Sequence, residues 1–137
     1  MTAETPRPFS GRRILVVDDT EELSDILRFV LAREGAEVDV AADGHTAVQR
    51  ATEEPFDVVL MDVGLPGIDG LEACRRITAV RDVTVVMLSA RHAAADREAG
   101  AAAGAAGYLP KPFAPRTLVA ELREILAAAE RPGHGGG

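Results

Sequence analysis

Five residues able to do acid, metal or phosphoryl chemistry stand directly after, or at the close of, short apolar runs. Asp18 and Asp19 follow ILVV, Asp62 closes DVVLMD, Ser89 closes VTVVMLS, and Lys111 follows GYLP. Lys111 is the only lysine in the chain; every other cationic side chain apart from histidine is arginine. Three carboxylates brought together repel, and each resists ionising alone, a conflict that a divalent cation resolves. Oxygen donors with no histidine or cysteine beside them favour Mg²⁺, or Mn²⁺ in its place, over zinc. A cation held by two or three protein oxygens keeps positions open for a phosphoryl oxygen, and a carboxylate can itself take that group as an acyl phosphate. The Lys111 ammonium and the Ser89 hydroxyl would then neutralise charge on the equatorial oxygens. Lysine offers a compact charge on a thin stem where guanidinium would be a wide fork. Pro112 is expected to fix the loop that aims it, with a cis Lys111–Pro112 bond as one means.

These residues span more than ninety positions, so only a particular fold can bring them together. Thr20 is placed to cap a helix with Glu21 and Glu22 in its first turn, where the macrodipole favours negative charge. Leu23, Ile26, Leu27, Val30 and Leu31 form one apolar stripe, and Gly35 stops the helix. EVDVAA then reads as a strand, GHTAVQRATEE as a short helix and DVVLMD as a strand. DGLEACRRITAV is a helix with Asp69 and Glu72 at capping-box spacing. VTVVMLS is a strand, residues from about 92 to 103 a weak alanine-rich helix, and GYLP a very short strand. The last helix begins at Pro115 and buries Leu118, Leu122, Ile125 and Leu126.

Five strands alternating with five helices predict an α/β fold: a doubly wound, flavodoxin-like (βα)5 three-layer sandwich around a parallel sheet. ILVV, VVLM and VVML are apolar throughout, as strands covered on both faces must be, whereas the second and fifth strands read as edges. The order 2-1-3-4-5 satisfies this with short right-handed crossovers, and ligands in such sheets sit beyond the carboxyl ends of the strands. Asp18, Asp19, Asp62, Ser89 and Lys111 all fall at those ends.

At 137 residues the chain is one domain. Residues 1–11 read as a flexible leader, 12–130 as the domain, and 131–137 as a flexible tail or linker. No apolar run approaches the ~20 residues of a membrane span, and MTAETPRPFSGRR has no signal-like apolar region. The lone cysteine, Cys74, has no internal disulfide partner, reads as a small apolar helix residue, and fits a reducing cytoplasm. Net charge is −7, which argues against nucleic acid as a direct ligand. His45, His92 and His134 show no ligand spacing and are expected at the surface.

VVDD, MDVGLPGIDG, LSA and GYLPKPF, in this order from about Arg12 to Ala129, resemble the response-regulator receiver domain of the chemotaxis-regulator type. The resemblance implies that Asp62 accepts phosphate from a histidine kinase or a histidine phosphotransfer protein. It implies Mg²⁺ bound by Asp19, Asp62 and the Gly64 carbonyl, with Asp18 acting through a water. It gives Ser89 and Lys111 the phosphoryl oxygens and makes Tyr108 a switch aromatic that turns inward when Ser89 moves. The face of the fourth helix, fifth strand and fifth helix would then bind a downstream protein. Gly64 and Arg91 occupy positions that tune dephosphorylation. Ala106 and Gly107 depart from the acidic or amide pair often found before the aromatic. The fourth helix, whose alanines bury little area, is expected to repack most on phosphorylation.

Three other readings share parts of this pattern. An aspartate-nucleophile phosphohydrolase would want a second carboxylate in a DxD pattern, and Asp62-Val63-Gly64 lacks it. A nucleotide-binding domain would want glycines after the first strand, where Asp18 and Asp19 stand instead. An interaction module that no longer takes phosphate keeps the fold but not the chemistry.

Overall fold

The computed structural model describes residues 7–89 and 94–130. Ten elements alternate: β1 (Arg13–Val17), α1 (Glu21–Arg33), β2 (Glu37–Ala41), α2 (Gly44–Glu53), β3 (Val58–Asp62), α3 (Gly70–Val80), β4 (Thr84–Ser89), α4 (Ala94–Ala102), β5 (Gly107–Pro110) and α5 (Pro115–Glu130). The five strands form one parallel sheet in the order β2-β1-β3-β4-β5, the predicted flavodoxin-like arrangement.

The inner strands β1, β3 and β4 are apolar along their buried lengths because alternate residues feed two separate cores. Leu15, Val17, Val59, Met61, Val85 and Met87 point to one face and pack with Ala47, Ala51, Ala73, Cys74 and Ile77 from α2 and α3. Ile14, Val16, Val58, Leu60, Val86 and Leu88 point to the other and pack with Leu27 and Leu31 of α1 and Leu118, Leu122 and Leu126 of α5. The residues that terminate these strands carry the polar groups, so the buried sheet delivers them all to one rim.

Several local expectations change in three dimensions. Phe9, read as part of the leader, is fully buried in the α1–α5 core, and its amide donates to the Glu34 carbonyl at 2.9 Å. On α1, Ile26 is 44% exposed, and Ser24 takes a buried place that the stripe had not assigned. The reason is register: residues 24, 27, 30 and 31 face the sheet, which turns Ile26 and Phe29 outward. Thr20 is the N-cap residue of α1, but its side chain makes no cap hydrogen bond. Asp69 does cap α3 by accepting from the Glu72 amide at 2.9 Å, whereas the Glu72 carboxylate pairs with Arg75 and Arg76. Among the described residues no helix is long and apolar enough to cross a membrane.

The opposite rim is tied by charge. Arg13 and Arg50 both bond Asp39 and Glu54, at 2.8–3.1 Å, and both guanidinium groups lie over the Phe56 ring. Arg50 and then Arg13 hold the Glu54 carboxyl down to about 2.

Candidate functional site

β1, β3, β4 and β5 end in register at one rim: Asp62 pairs with Leu88, and Ser89 with Pro110. The chain just beyond β1 supplies Asp18 and Asp19, and the chain just beyond β5 supplies Lys111. One carboxylate oxygen from each of Asp18, Asp19 and Asp62 lies within 4.8 Å of the others.

Asp18 is held at four points. Its amide donates to the Ala41 carbonyl of β2 at 3.1 Å. One carboxylate oxygen accepts from the Thr20 amide at 2.8 Å, and the other accepts from the Lys111 ammonium at 3.0 Å. Its carbonyl accepts from the Ser24 hydroxyl at 3.4 Å. The Asp18 side chain is completely buried. Asp62 keeps 13% of its side chain in solvent and sits 3.2 Å from the Lys111 ammonium. Asp19 is exposed. The three carboxylates therefore differ in what can reach them.

Lys111 bridges the cluster. Burial opposes its charge, but the Asp18 hydrogen bond and the charges of Asp62 and Asp18 outweigh this and hold its pKa above the ordinary value of 10.5. Its backbone amide donates to the Ser89 carbonyl at 2.7 Å, which fixes the start of the loop, and the Lys111–Pro112 bond is cis. Ser89 is buried at the end of β4.

The loop after β3 shapes the mouth. The Gly64 amide lies 3.4 Å from an Asp62 carboxylate oxygen, and a Cβ added at Gly64 would meet nothing within 4 Å. Gly70 is the reverse case. Its amide donates to the Val63 carbonyl at 2.9 Å, and a Cβ there would land on the Asp62 carbonyl oxygen. Only glycine lets the start of α3 approach the backbone of Asp62 so closely.

Tyr108 lies on β5, half-buried, with its hydroxyl sealed from solvent and, among the described residues, without a hydrogen-bond partner. The Arg97 guanidinium of α4 sits 5.4 Å from its ring centroid.

The predicted residues Asp18, Asp19, Asp62 and Lys111 thus meet directly, with Ser89, Pro112 and Gly64 at their edge. Tyr108 stands apart in the α4–β5 layer. Arg91, His92, His134 and segments 1–6 and 131–137 lie outside the described residues. His45 is exposed, as expected. Cys74 is a buried core residue whose thiol donates to the Ala103 carbonyl at 3.4 Å and is pushed up by burial to about 11. Ser24 and Gly70 were not legible as site residues. Gly70, placed directly after the α3 cap, carried a weak signal, whereas a serine inside a helical stripe carried none.

A family model described as the response regulator receiver domain matches residues 14–123. The BeF3-activated DrrB receiver domain is 33% identical, with a TM-score of 0.75 over 84% of this chain and 97% of that one. A longer DrrB chain, described as a Thermotoga maritima OmpR/PhoB homolog, is 33% identical, with a TM-score of 0.76 over 84% of this chain and 52% of that one. The Vibrio cholerae chemotaxis protein CheY4 is 32% identical, with a TM-score of 0.78 over 83% of this chain and 98% of that one. A CheY-like receiver domain protein from Methanospirillum hungatei is 30% identical, with a TM-score of 0.81 over 87% and 96%.

Proposed function

The chain belongs to the response regulator receiver domain family, and from that premise we propose that Asp62 accepts a phosphoryl group from a phosphohistidine on a kinase or phosphotransfer protein. The observation that carries this is the position of Asp62. It is the carboxylate that combines solvent access, a 3.2 Å contact with the Lys111 ammonium and membership of the acidic cluster. An Asp62 oxygen attacks phosphorus, the P–O bond forms, and the electron pair of the P–N bond leaves with the donor imidazole. Lys111 moves its positive charge from the carboxylates toward a phosphoryl oxygen, while Ser89, at the end of β4, donates to another.

The all-oxygen donor set of Asp18, Asp19 and Asp62 fits Mg²⁺. Those three residues, with the Gly64 carbonyl, would hold it, and it would neutralise the carboxylates and the transferring oxygens. The donor must bring phosphorus to Asp62, so part of its surface rests on the adjoining rim. Beside Lys111 that rim is an apolar groove of about 570 Å³ lined by Leu23, Ile26, Pro112, Phe113 and Pro115. We assign this groove to the donor, and the face of α4, β5 and α5 to the downstream protein. Arg91, outside the described residues, belongs to the same reading as a position that tunes dephosphorylation. The chain acts as a signalling domain in the cytoplasm, without direct contact with nucleic acid or membrane, and turns over only its own phosphoryl group.

Incubation with acetyl phosphate and Mg²⁺ tests the proposal. One label per chain that vanishes in Asp62→Asn is the expected result. Continuous release of phosphate from varied esters would favour a phosphohydrolase, and an unlabelled wild type would favour an interaction module.

A further inference from the structure

Asp18, Ser24 and Ser89 are the only buried polar residues among those described. Two belong to the pocket already assigned; Ser24, in the second turn of α1, has no assigned role. A serine inside a helix ordinarily returns its hydroxyl to the carbonyl four residues back. Here that carbonyl, of Thr20, receives the Ser24 amide at 3.0 Å, and the hydroxyl goes instead to the Asp18 carbonyl, outside the helix, at 3.4 Å.

The restraint acts where none of the other three do. Ala41 holds the Asp18 amide, and Thr20 and Lys111 hold its carboxylate. Among the described residues only Ser24 donates to the Asp18 carbonyl. That carbonyl is half of the planar peptide unit whose other half is the Asp19 amide. Fixing the plane fixes the ψ of Asp18, one of the two backbone rotations, with the Asp19 φ, that set the direction in which the Asp19 side chain leaves the backbone. Asp19 needs such help, because it is exposed and no hydrogen bond to a described residue orients its carboxylate.

We infer that Ser24 is a positioning residue: by holding the Asp18 carbonyl it aims Asp19 into the acidic cluster and so sets the affinity of that cluster for a divalent cation. This rests on the receiver reading above and adds a residue to it. Ser24 does not touch the phosphoryl group, and its effect runs through the Asp18–Asp19 backbone alone.

Ser24→Ala preserves the buried volume and improves helix propensity, so the variant is expected to fold. Mn²⁺ alone is the probe, followed by water-proton relaxation on the full chain, with the urea midpoint measured in metal-free buffer. Ser24→Ala is expected to bind Mn²⁺ about tenfold more weakly, the low end for loss of an outer partner of a metal ligand. Its metal-free midpoint should stay near wild type. Ser24→Thr, which restores a hydroxyl, should return most of the affinity. Wild-type affinity in Ser24→Ala, Ser24→Thr as weak as Ser24→Ala, or a loss of affinity matched by a fall in the metal-free midpoint would each overturn the assignment. Acetyl phosphate labelling of the wild type keeps the two claims apart. If wild type binds Mn²⁺ and labels but Ser24→Ala matches it, only the role of Ser24 falls. If wild type does neither, the receiver reading falls and takes the role of Ser24 with it.

Discussion

The Lys111 ammonium lies 3.0 Å from the completely buried Asp18 carboxylate, across 93 residues of chain. Removing the cation leaves a sealed charge facing two like charges. Lys111→Met is therefore expected to cost about 1–3 kcal/mol in divalent-free buffer, part of which added Mg²⁺ restores. The sign with pH follows from the raised pKa. The stabilisation from Lys111 is complete below the ordinary value of 10.5 and is lost as pH rises through the higher folded value. The gap between wild-type and variant urea midpoints should thus narrow in strong alkali. An equal gap at every pH would contradict the pairing.

The opposite rim predicts the acid limb. Glu54 titrates at about 2 in the folded chain against an ordinary 4.5 because Arg50 and Arg13 bond its charged form. A depressed carboxylate contributes stability that is present above 4.5 and lost as pH falls toward 2. Glu54→Gln should lower stability at neutral pH and flatten the acid limb in that window. Parallel acid curves for the two proteins would show that the network does not hold in solution.

Tyr108 carries a sealed hydroxyl with no hydrogen-bond partner among the described residues. Removing such a group relieves a desolvation cost and loses no hydrogen bond, so Tyr108→Phe should leave the unphosphorylated chain unchanged or stabilise it by up to about 1 kcal/mol. Thermal unfolding checks this. A clear loss of stability would mean that the hydroxyl is bonded in solution.

Two glycines near Asp62 should behave in opposite ways. A Cβ at Gly70 collides with the Asp62 backbone, so Gly70→Ala should cost about 1–3 kcal/mol, as overpacking does, and slow phosphorylation. Gly64→Ala meets open space and should stay within about 0.5 kcal/mol of wild type. Comparable costs at the two positions would refute the close approach of α3 to Asp62.

The groove beside Lys111 can be separated from the chemistry. Ile26 is 44% exposed and lines it. Ile26→Asp should slow phosphoryl transfer from a protein donor while leaving labelling by acetyl phosphate unchanged. Equal slowing with both donors would place the defect in the pocket instead.

Legibility in the sequence followed periodicity. Apolar strands closed or followed by Asp18, Asp62 and Ser89 announced a buried parallel sheet and its polar rim, because covering both faces demands unbroken hydrophobicity and polar groups can begin only where the cover ends. The solitary lysine was equally plain against so many arginines. Contacts that depend on the angle of approach were not legible. Ile26 and Ser24 exchanged exposure because a small rotation of α1 about its axis decides which residues meet the sheet. Phe9 looked like leader until α1 and α5 left a space for it.

What the sequence determined alone was the set of elements, their order and the chemical types at their ends, since these follow from local patterning and chain connectivity. Tertiary structure decided which carboxylate is sealed and which is open, where the Ser24 hydroxyl goes, and how close Gly70 comes to Asp62. Those outcomes depend on helix rotation and spacing of an ångström or less, set by the packing of the two cores together and encoded at no single position.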